Sequence, residues 1–295
     1  MSIITIWLLA TIVFVLIRLL PGDPFSDGQI TEETLARMMA YYGLDQPIWK
    51  QYITFFKQLC HGDLGYSLKY NSRSVNSIIA EAAPYSMDLG IRALVFSLIV
   101  GLGLGIIAAL NQNGPLDYMG IIIAVIGVSI PSFVVGYLLQ LAFAVKLGWF
   151  PVARWDGFKS TILPTVALGL SVLASTTRLM RAKMLDTVSE DYIKTAKAKG
   201  LTKVQIVMKH QIRNAILPIV TVIGPRIAAL LTGSFVVEQI FAIPGLGRHF
   251  TISVQNLDYT LTLGMTVFYG SFLVLMNLLV DIAYGLIDPR IRVEK

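Results

Sequence analysis

Six long apolar stretches constrain this chain more than any other feature. They fall at about residues 3–20, 86–110, 117–146, 162–182, 215–237 and 259–287. Crossing the hydrocarbon of a bilayer takes about 20 helical residues, and each stretch is near that length or beyond it. The third and sixth are long enough to tilt or to extend past the bilayer. Only 14% of the residues are charged and 55% are hydrophobic, whereas soluble domains carry about 25% charge. A water-soluble core could not hide that much apolar surface, so lipid is the expected solvent. The first stretch could be read as a signal peptide. It lacks a basic leader region and a small-residue cleavage pattern, and LLPGDP follows it, which fits a span better. The chain begins almost inside this stretch, which leaves room for a short basic leader ahead of it.

Loop charge orients the spans. Arg178, Arg181, Lys183, Lys194, Lys197, Lys199, Lys203, Lys209 and Arg213 gather around the connection between the fourth and fifth stretches, opposed only by Asp186, Glu190 and Asp191. The tail adds Arg290, Arg292 and Lys295, while segment 21–85 holds five basic and seven acidic residues. The excess of Lys and Arg on cytoplasmic loops therefore puts 183–213 and the tail inside and 21–85 outside. The expected architecture is an all-α integral membrane protein. It has six transmembrane helices, both termini cytoplasmic, and a small external segment, 21–85, between helices 1 and 2. That segment carries helix-like runs, TEETLARMMAYYGL and PIWKQYITFFKQL, then GDLGYSLKYNSRSV. A single cysteine, Cys60, excludes an intrachain disulfide. His61, His210 and His249 have no metal-ligand spacing, so no metal site is expected.

The most informative stretch is Thr187–Pro218, TVSEDYIKTAKAKGLTKVQIVMKHQIRNAILP. Ser189 is the expected N-cap of a short helix, with Glu190 and Asp191 in the first turn, where acids favour the helix dipole. Tyr192, Ala196 and Lys199 fall on one face with Ile193 beside it. Gly200 ends the helix as a left-handed residue. A second amphipathic helix is expected from about Thr202, with Val204, Val207 and Met208 as one stripe and Ile206 flanking it. A loop that only fixes topology needs charge alone. Two helices meeting at a glycine suit a docking element for a soluble partner better than a basic loop lying on the headgroups.

This segment resembles the cytoplasmic EAA loop of binding-protein-dependent ABC importer permeases. The triad falls at Lys194, Thr195 and Ala196, followed by Gly200 and by Leu217-Pro218; two of the three triad residues depart from Glu-Ala-Ala. The form AKAKGL (Ala196–Leu201) is similar to the peptide-importer branch. LLPGDPF (Leu19–Phe25), HGDLGYSLKYNSRSV (His61–Val75), IPSFVVG (Ile130–Gly136), GSFVVEQIFAIPGLG (Gly233–Gly247) and DPRIR (Asp288–Arg292) follow the same branch in order along nearly the whole chain. The chain thus resembles the B-type permease of the oligopeptide/dipeptide ABC importer family. The resemblance implies the type I importer permease fold over residues 86–287, with 1–20 as the first helix, coupling helices at about 187–213 and a cytoplasmic tail at 288–295. It implies a bacterial cytoplasmic-membrane location and, as partners, a second homologous permease, two ATP-binding subunits, an extracellular solute-binding protein, a peptide and the lipid bilayer. Nucleic acid is not among the expected partners. It also implies that Glu190, Asp191, Tyr192, Thr195, Ala196, Ala198, Lys199, Gly200 and Leu201 form the ATPase-coupling loop.

The chain has no GxxxxGK[ST] phosphate loop. It is therefore expected to be a transport subunit without its own ATPase site and without a cofactor, ATP being bound by partners. Polar residues inside the apolar stretches are Asp88, Arg92, Gln140, Arg226, Glu238 and Asp281. Of these, Arg226, Glu238 and Asp281 are the candidates for the pathway or a gate, because ionisable groups in lipid usually face protein or water. For Arg226 a structural ion pair inside the bundle is an equal reading. GLGLG (Gly101–Gly105) is expected to let helices approach closely, Pro131 and Pro164 to kink or start spans, and Pro244–Gly247 to form a tight external turn. The alternatives carried forward are nickel or metal-chelate cargo moved by the same mechanism, and an ion-coupled secondary transporter.

Overall fold

The computed structural model describes residues 2–19, 39–41, 43, 45–70, 73–231 and 234–287. The helices are α1 (Ser2–Leu19), α2 (Ile48–Cys60), α3 (Val75–Leu110), α4 (Pro115–Ser129), α5 (Ser132–Leu139), α6 (Phe158–Thr187), α7 (Asp191–Ala198), α8 (Lys203–Ile206), α9 (Ile212–Leu231), α10 (Phe235–Ile240), α11 (Leu246–Gln255) and α12 (Tyr259–Ile287). Two π-helical turns, Gln140–Lys146 and Val207–Gln211, extend α5 and join α8 to α9. One isolated antiparallel bridge, Tyr66 to Ser74, is the sole β pairing among the described residues. The chain is all-helical, as expected, and divides into two compact units: residues 1–86 with 244–275, and residues 87–243 with 276–295.

Among the described residues the apolar stretches are mainly helical, but not every one is a single straight span. Three of the described helices are long and apolar enough to cross a membrane: Val75–Leu110, Phe158–Thr187 and Tyr259–Val280. Shorter apolar helical runs cover Ile3–Leu16 and Ala229–Ile240. The third stretch breaks: α4 and the helix Ser132–Lys146 meet at 108°. Pro131 is the cause, since it lacks an N–H and pushes the residue before it out of the helical region; Ile130 sits at φ −97°, ψ 125°. The pair counts as a fourth span if it crosses as one. The second helix starts at Val75 rather than 86 and runs through Pro84. The expected turn at Pro244–Gly247 is instead a helix start: Gly245 is the extended N-cap of α11, and Leu246 donates its N–H to Ser86 Oγ at 2.8 Å. Motifs at 20–25 and 288–292 lie outside the described residues.

In the first unit, the start of α3, α11 and the start of α12 pack around Val75, Ile78, Ile79, Ala82, Leu246, Leu261 and Met265, with Leu64 and Tyr70 of the loop before α3 against them. The GDLGYSLKY loop is held by Asp258, which is fully buried. Its carboxylate accepts the Ser67 hydroxyl and the N–H groups of Leu68 (3.1 Å), Lys69 (3.3 Å) and Leu261 (3.1 Å). A buried carboxylate is tolerable only when its lone pairs are filled in this way. In the second unit, Gly101 and Gly105 fulfil their expected role. A Cβ at Gly101 would lie 2.9 Å from the Leu173 carbonyl oxygen, and one at Gly105 would lie 2.6 Å from Met180 Cβ; at Gly103 it would meet nothing within 4 Å. The GxxxG spacing thus lets α3 and α6 touch backbone to backbone.

Two predictions follow from these contacts. Gly105→Ala should destabilise the purified subunit by about 2 kcal/mol through overpacking, while Gly103→Ala should leave its thermal midpoint unchanged. The second concerns His249 on α11. Burial, then the charges of Arg248 and Arg73, hold its imidazole below its ordinary value of 6.5. The unfolded chain therefore binds the proton more readily, so stability is full above about pH 6.5 and falls as pH drops through that value towards the folded pKa. Melting curves between pH 7.5 and 5.5 should show this fall, and His249→Gln should flatten it.

Candidate functional site

The helix–glycine–helix element lies wholly in the second unit. Helix α7 opens at Glu190, not Ser189. Glu190 holds the extended N-cap backbone without a side-chain cap bond, and Ser189 Oγ donates back to the Asp186 carbonyl at 3.4 Å. Because that hydroxyl turns towards the preceding helix, the cap position moves one residue on. Asp191 does sit in the first turn, where it pairs with Lys194 at 2.8 Å; both groups are exposed, so the pair adds little. The end of the helix is as expected. Leu201 N–H bonds the Ala196 carbonyl at 3.3 Å and Gly200 N–H bonds the Lys197 carbonyl at 3.0 Å, the double closure of a Schellman turn. Gly200 has φ +74°, and a Cβ there would meet nothing within 4 Å. Backbone conformation, not space, demands glycine.

Thr202 then starts α8 with a reciprocal capping box. Its hydroxyl accepts Gln205 N–H, and its own N–H bonds Gln205 Oε1 at 2.9 Å. The two helices close on a small apolar core of Ile193, Ala196 and Ile206, with Leu201 packed against it. One residue on, Val207 joins Met180, Met184, Ala215 and Ile219, so the element is seated on the ends of α6 and α9. The expected stripe is therefore split. Ile206 and Val207 face inward, while Val204 and Met208 are 70% and 62% exposed. The π turn at Val207 widens the helix and shifts the faces from the 3.6-residue register.

The Tyr192 phenol is held above its usual range by burial and by the Glu190 charge. A polar tie braces the base of α6. Asp117, 1% exposed at the start of α4, receives Arg181 of α6 through two bonds of 2.5 and 2.7 Å and the Asn113 N–H at 2.9 Å. Such a two-pronged pair fixes geometry as well as charge. Sequence reasoning missed Asp117; the signal was an acid in the first turn of an apolar helix directly after the NQNGP turn. Lys194, Thr195, Ala198 and Lys199 stay on the open side, as do Val204 and Met208. Beside them runs an open groove of about 710 Å³ lined by Met208, Lys209, His210, Arg213, Asn214 and Leu217.

The pathway candidates do not gather. Arg226, half-buried on α9, donates to the Ser175 hydroxyl of α6 rather than to a carboxylate. Glu238 on α10 is completely buried. Asp281 is placed on α12, and its side chain lies outside the described residues. Arg92 pairs with Asp88 one turn away at 2.9 Å, and Gln140 donates to the carbonyls of Val152 (2.6 Å) and Ile240 (3.1 Å).

The model of the binding-protein-dependent transport system inner membrane component family matches residues 101–293. The chain is 46% identical over 292 residues to the dipeptide transport system permease protein DppB of Bacillus subtilis, covering 99% of this chain and 95% of that one. It is 42% identical over 291 residues to the oligopeptide transport system permease protein OppB of Haemophilus influenzae, covering 98% and 95%. Among solved structures, a crystal structure of an amino acid ABC transporter with histidines superposes with a TM-score of 0.56 at 18% identity, covering 73% of this chain and 94% of that one, a likeness of fold. The helical fold with its broken span, and the full-length relatedness to bacterial permeases, agree that this chain belongs to the family of binding-protein-dependent ABC transport system inner-membrane permease components.

Proposed function

We propose that the chain is the permease subunit of an ATP-driven peptide importer of the bacterial cytoplasmic membrane, with residues 187–213 as the cytoplasmic handle for its ATPases. One observation carries the handle: two helices meet at Gly200, close on Ile193, Ala196 and Ile206, and are seated on the ends of α6 and α9 through Val207. The family places the chain in an importer fed by a binding protein. Peptide cargo is supported by the dipeptide and oligopeptide permeases it resembles at 42–46% identity; these relatives lend nothing to a nickel or ion-coupled reading. The finer arrangement is a second homologous permease sharing the pathway, two ATPases inside, and an external binding protein delivering the peptide, with both termini cytoplasmic.

The mechanism follows from rigidity. A nucleotide-driven partner that grips the open side of α7, through Glu190, Asp191, Thr195, Ala198 and Lys199, pushes on a body that cannot fold away. The Schellman turn and the capping box satisfy the backbone groups at the corner between its two helices. Displacement passes through Val207 and the π turn into α9, and through Met180 and Met184 into α6. Two packed arrangements of these helices serve as the inward-open and outward-open states. Arg226, bonded to α6 from α9, lies between the two helices that the handle moves, which supports a place for it in that transmission.

Gly200→Pro cannot adopt the left-handed backbone and loses the N–H that closes the turn. It should abolish uptake while leaving membrane insertion and basal ATP hydrolysis intact. Charge reversal at Lys197 and Lys199 should act the same way more mildly. Peptide uptake and ATP turnover, measured together in proteoliposomes, check both, and normal uptake by Gly200→Pro would remove the handle. Affinity purification from solubilised membranes should bring down a second permease and ATP-binding subunits; recovery of the chain alone would count against the assembly.

A further inference from the structure

Among the described residues, helix α2 has an apolar stripe that is largely open, with Phe56 half-buried against the Tyr52 ring at 4.6 Å. Trp49, Ile53, Phe56 and Cys60 recur at i, i+4, i+7 and i+11, one line along a 3.6-residue helix. Trp49 is 61% and Ile53 57% exposed, and Cys60 is exposed as well. Lys50 and Lys57, seven residues apart, edge the stripe on one side. The flank away from the lysines packs on α1: Tyr52 OH meets Thr11 Oγ1 at 2.8 Å, and the Phe14 ring lies 5.2 Å from Tyr52 and 5.4 Å from Phe55.

The depth of that contact decides what covers the stripe. Helix α1 has 18 residues, about 27 Å at 1.5 Å per residue. Thr11 and Phe14 stand in its second half, roughly 8–12 Å from its C-terminal end. On α1 itself Ile4, Trp7, Leu8, Ile12, Val15 and Leu16 are exposed, a surface that suits hydrocarbon. A helix fastened there lies at the depth of the outer acyl chains when α1 spans, within reach of the headgroups. The side-chain amides of α2 fit such a site, because they are satisfied internally. Gln51 Nε2 donates to the Gln46 carbonyl at 2.8 Å, and Gln58 Nε2 donates to the Tyr41 carbonyl at 3.1 Å. Lys50 Nζ turns to Gln46 Oε1 at 3.3 Å and sits 5.5 Å from the centre of the Trp49 ring. A tryptophan with flanking lysines is the pattern of a helix in the interface plane, with cations reaching the headgroups.

We propose that α2 is a membrane-interfacial helix. Its Trp49–Ile53–Phe56–Cys60 stripe is immersed in phospholipid acyl chains beside α1, and its Lys50–Lys57 edge is at the lipid phosphates. This takes residues 48–60 out of the water-exposed segment expected between the first two spans. It rests on α1 crossing the membrane and not on the ATPase handle. The occupant of the stripe is lipid, rather than the binding protein or the second permease.

Because Cys60 is the chain's single cysteine, a nitroxide can be attached there without any substitution in this subunit. The test uses the whole importer in nanodiscs of phosphatidylethanolamine and phosphatidylglycerol, with cysteines of the other subunits replaced. Collision of the label with oxygen, which concentrates in hydrocarbon, is compared with collision with a water-soluble nickel chelate. Oxygen should dominate at Cys60 and at Ile53→Cys in a Cys60→Ser background, and the preference should reverse at Lys57→Cys. Chelate dominance at Cys60 and Ile53→Cys would put the stripe in water and overturn the proposal. Low collision with both reagents would mean a protein covers it, and would overturn it equally. The label at Cys60 keeps the test standing if a substituted chain fails to assemble.

Discussion

The left-handed backbone at Gly200 is the constraint on which the candidate site depends. It turns the chain so that Leu201 packs back against Ile193 and Ala196 and so that Thr202 starts a new helix at once. Each of these events satisfies groups the previous helix left open: the last carbonyls by the Schellman bonds, the next N–H groups by the Thr202–Gln205 box. A residue with a Cβ would find room here but not conformation. The result is a compact corner on a basic connection. A stretch rich in lysine would otherwise have little reason to hold one shape, because exposed ion pairs such as Asp191–Lys194 contribute almost nothing.

How much of this was legible in the sequence depended on whether the signal was local. Gly200 as a helix stop, Thr202 as a start and Gly101/Gly105 as a packing notch were all readable, because each follows from one residue's backbone chemistry or from a fixed spacing. The N-cap was misplaced by one residue because Ser189 had two carbonyl and amide choices and the fold gave it Asp186. The Val204–Val207–Met208 stripe was misassigned because periodicity assumes 3.6 residues per turn, and the π turn at 207–211 breaks that assumption where α8 must merge with α9. Six apolar stretches were plain, yet hydropathy cannot distinguish a straight span from one bent through 108° at Ile130–Pro131. The partners of Asp117, Asp258 and Arg226 were out of reach, since each lies far along the chain.

Those three polar residues share one physical rule. In a chain solvated mostly by lipid, no water replaces a missing partner, so every buried charge or strong donor must be answered by protein. Asp258 collects a hydroxyl and three backbone N–H groups, Asp117 a guanidinium and a backbone N–H, and Arg226 a serine hydroxyl. Such sites bring segments together at single points: the GDLGYSLKY loop with the start of α12, the start of α4 with the C-terminal half of α6, and α9 with α6. Polar residues inside apolar stretches are therefore weak markers of a transport route when read singly, because structural pairing accounts for most of them.

The same rule bears on how force could leave the handle. Apolar contacts such as Val207 against Met180 and Met184 can slide by a rotamer at small cost, whereas the Asp117–Arg181 pair holds fixed atoms together. The handle is thus seated on α6 and α9 through apolar surfaces under its second helix, and the polar pin lies beyond it, tying α6 to α4. A push on the handle therefore reaches both α6 and α9 through contacts that can slide. The π turn adds to that freedom, since its wider ring leaves the junction of α8 and α9 less tightly hydrogen bonded than a regular helix. A handle that meets both spans through Val207 shifts them unequally when those apolar contacts slip by different amounts, and only unequal movement changes the space between two helices.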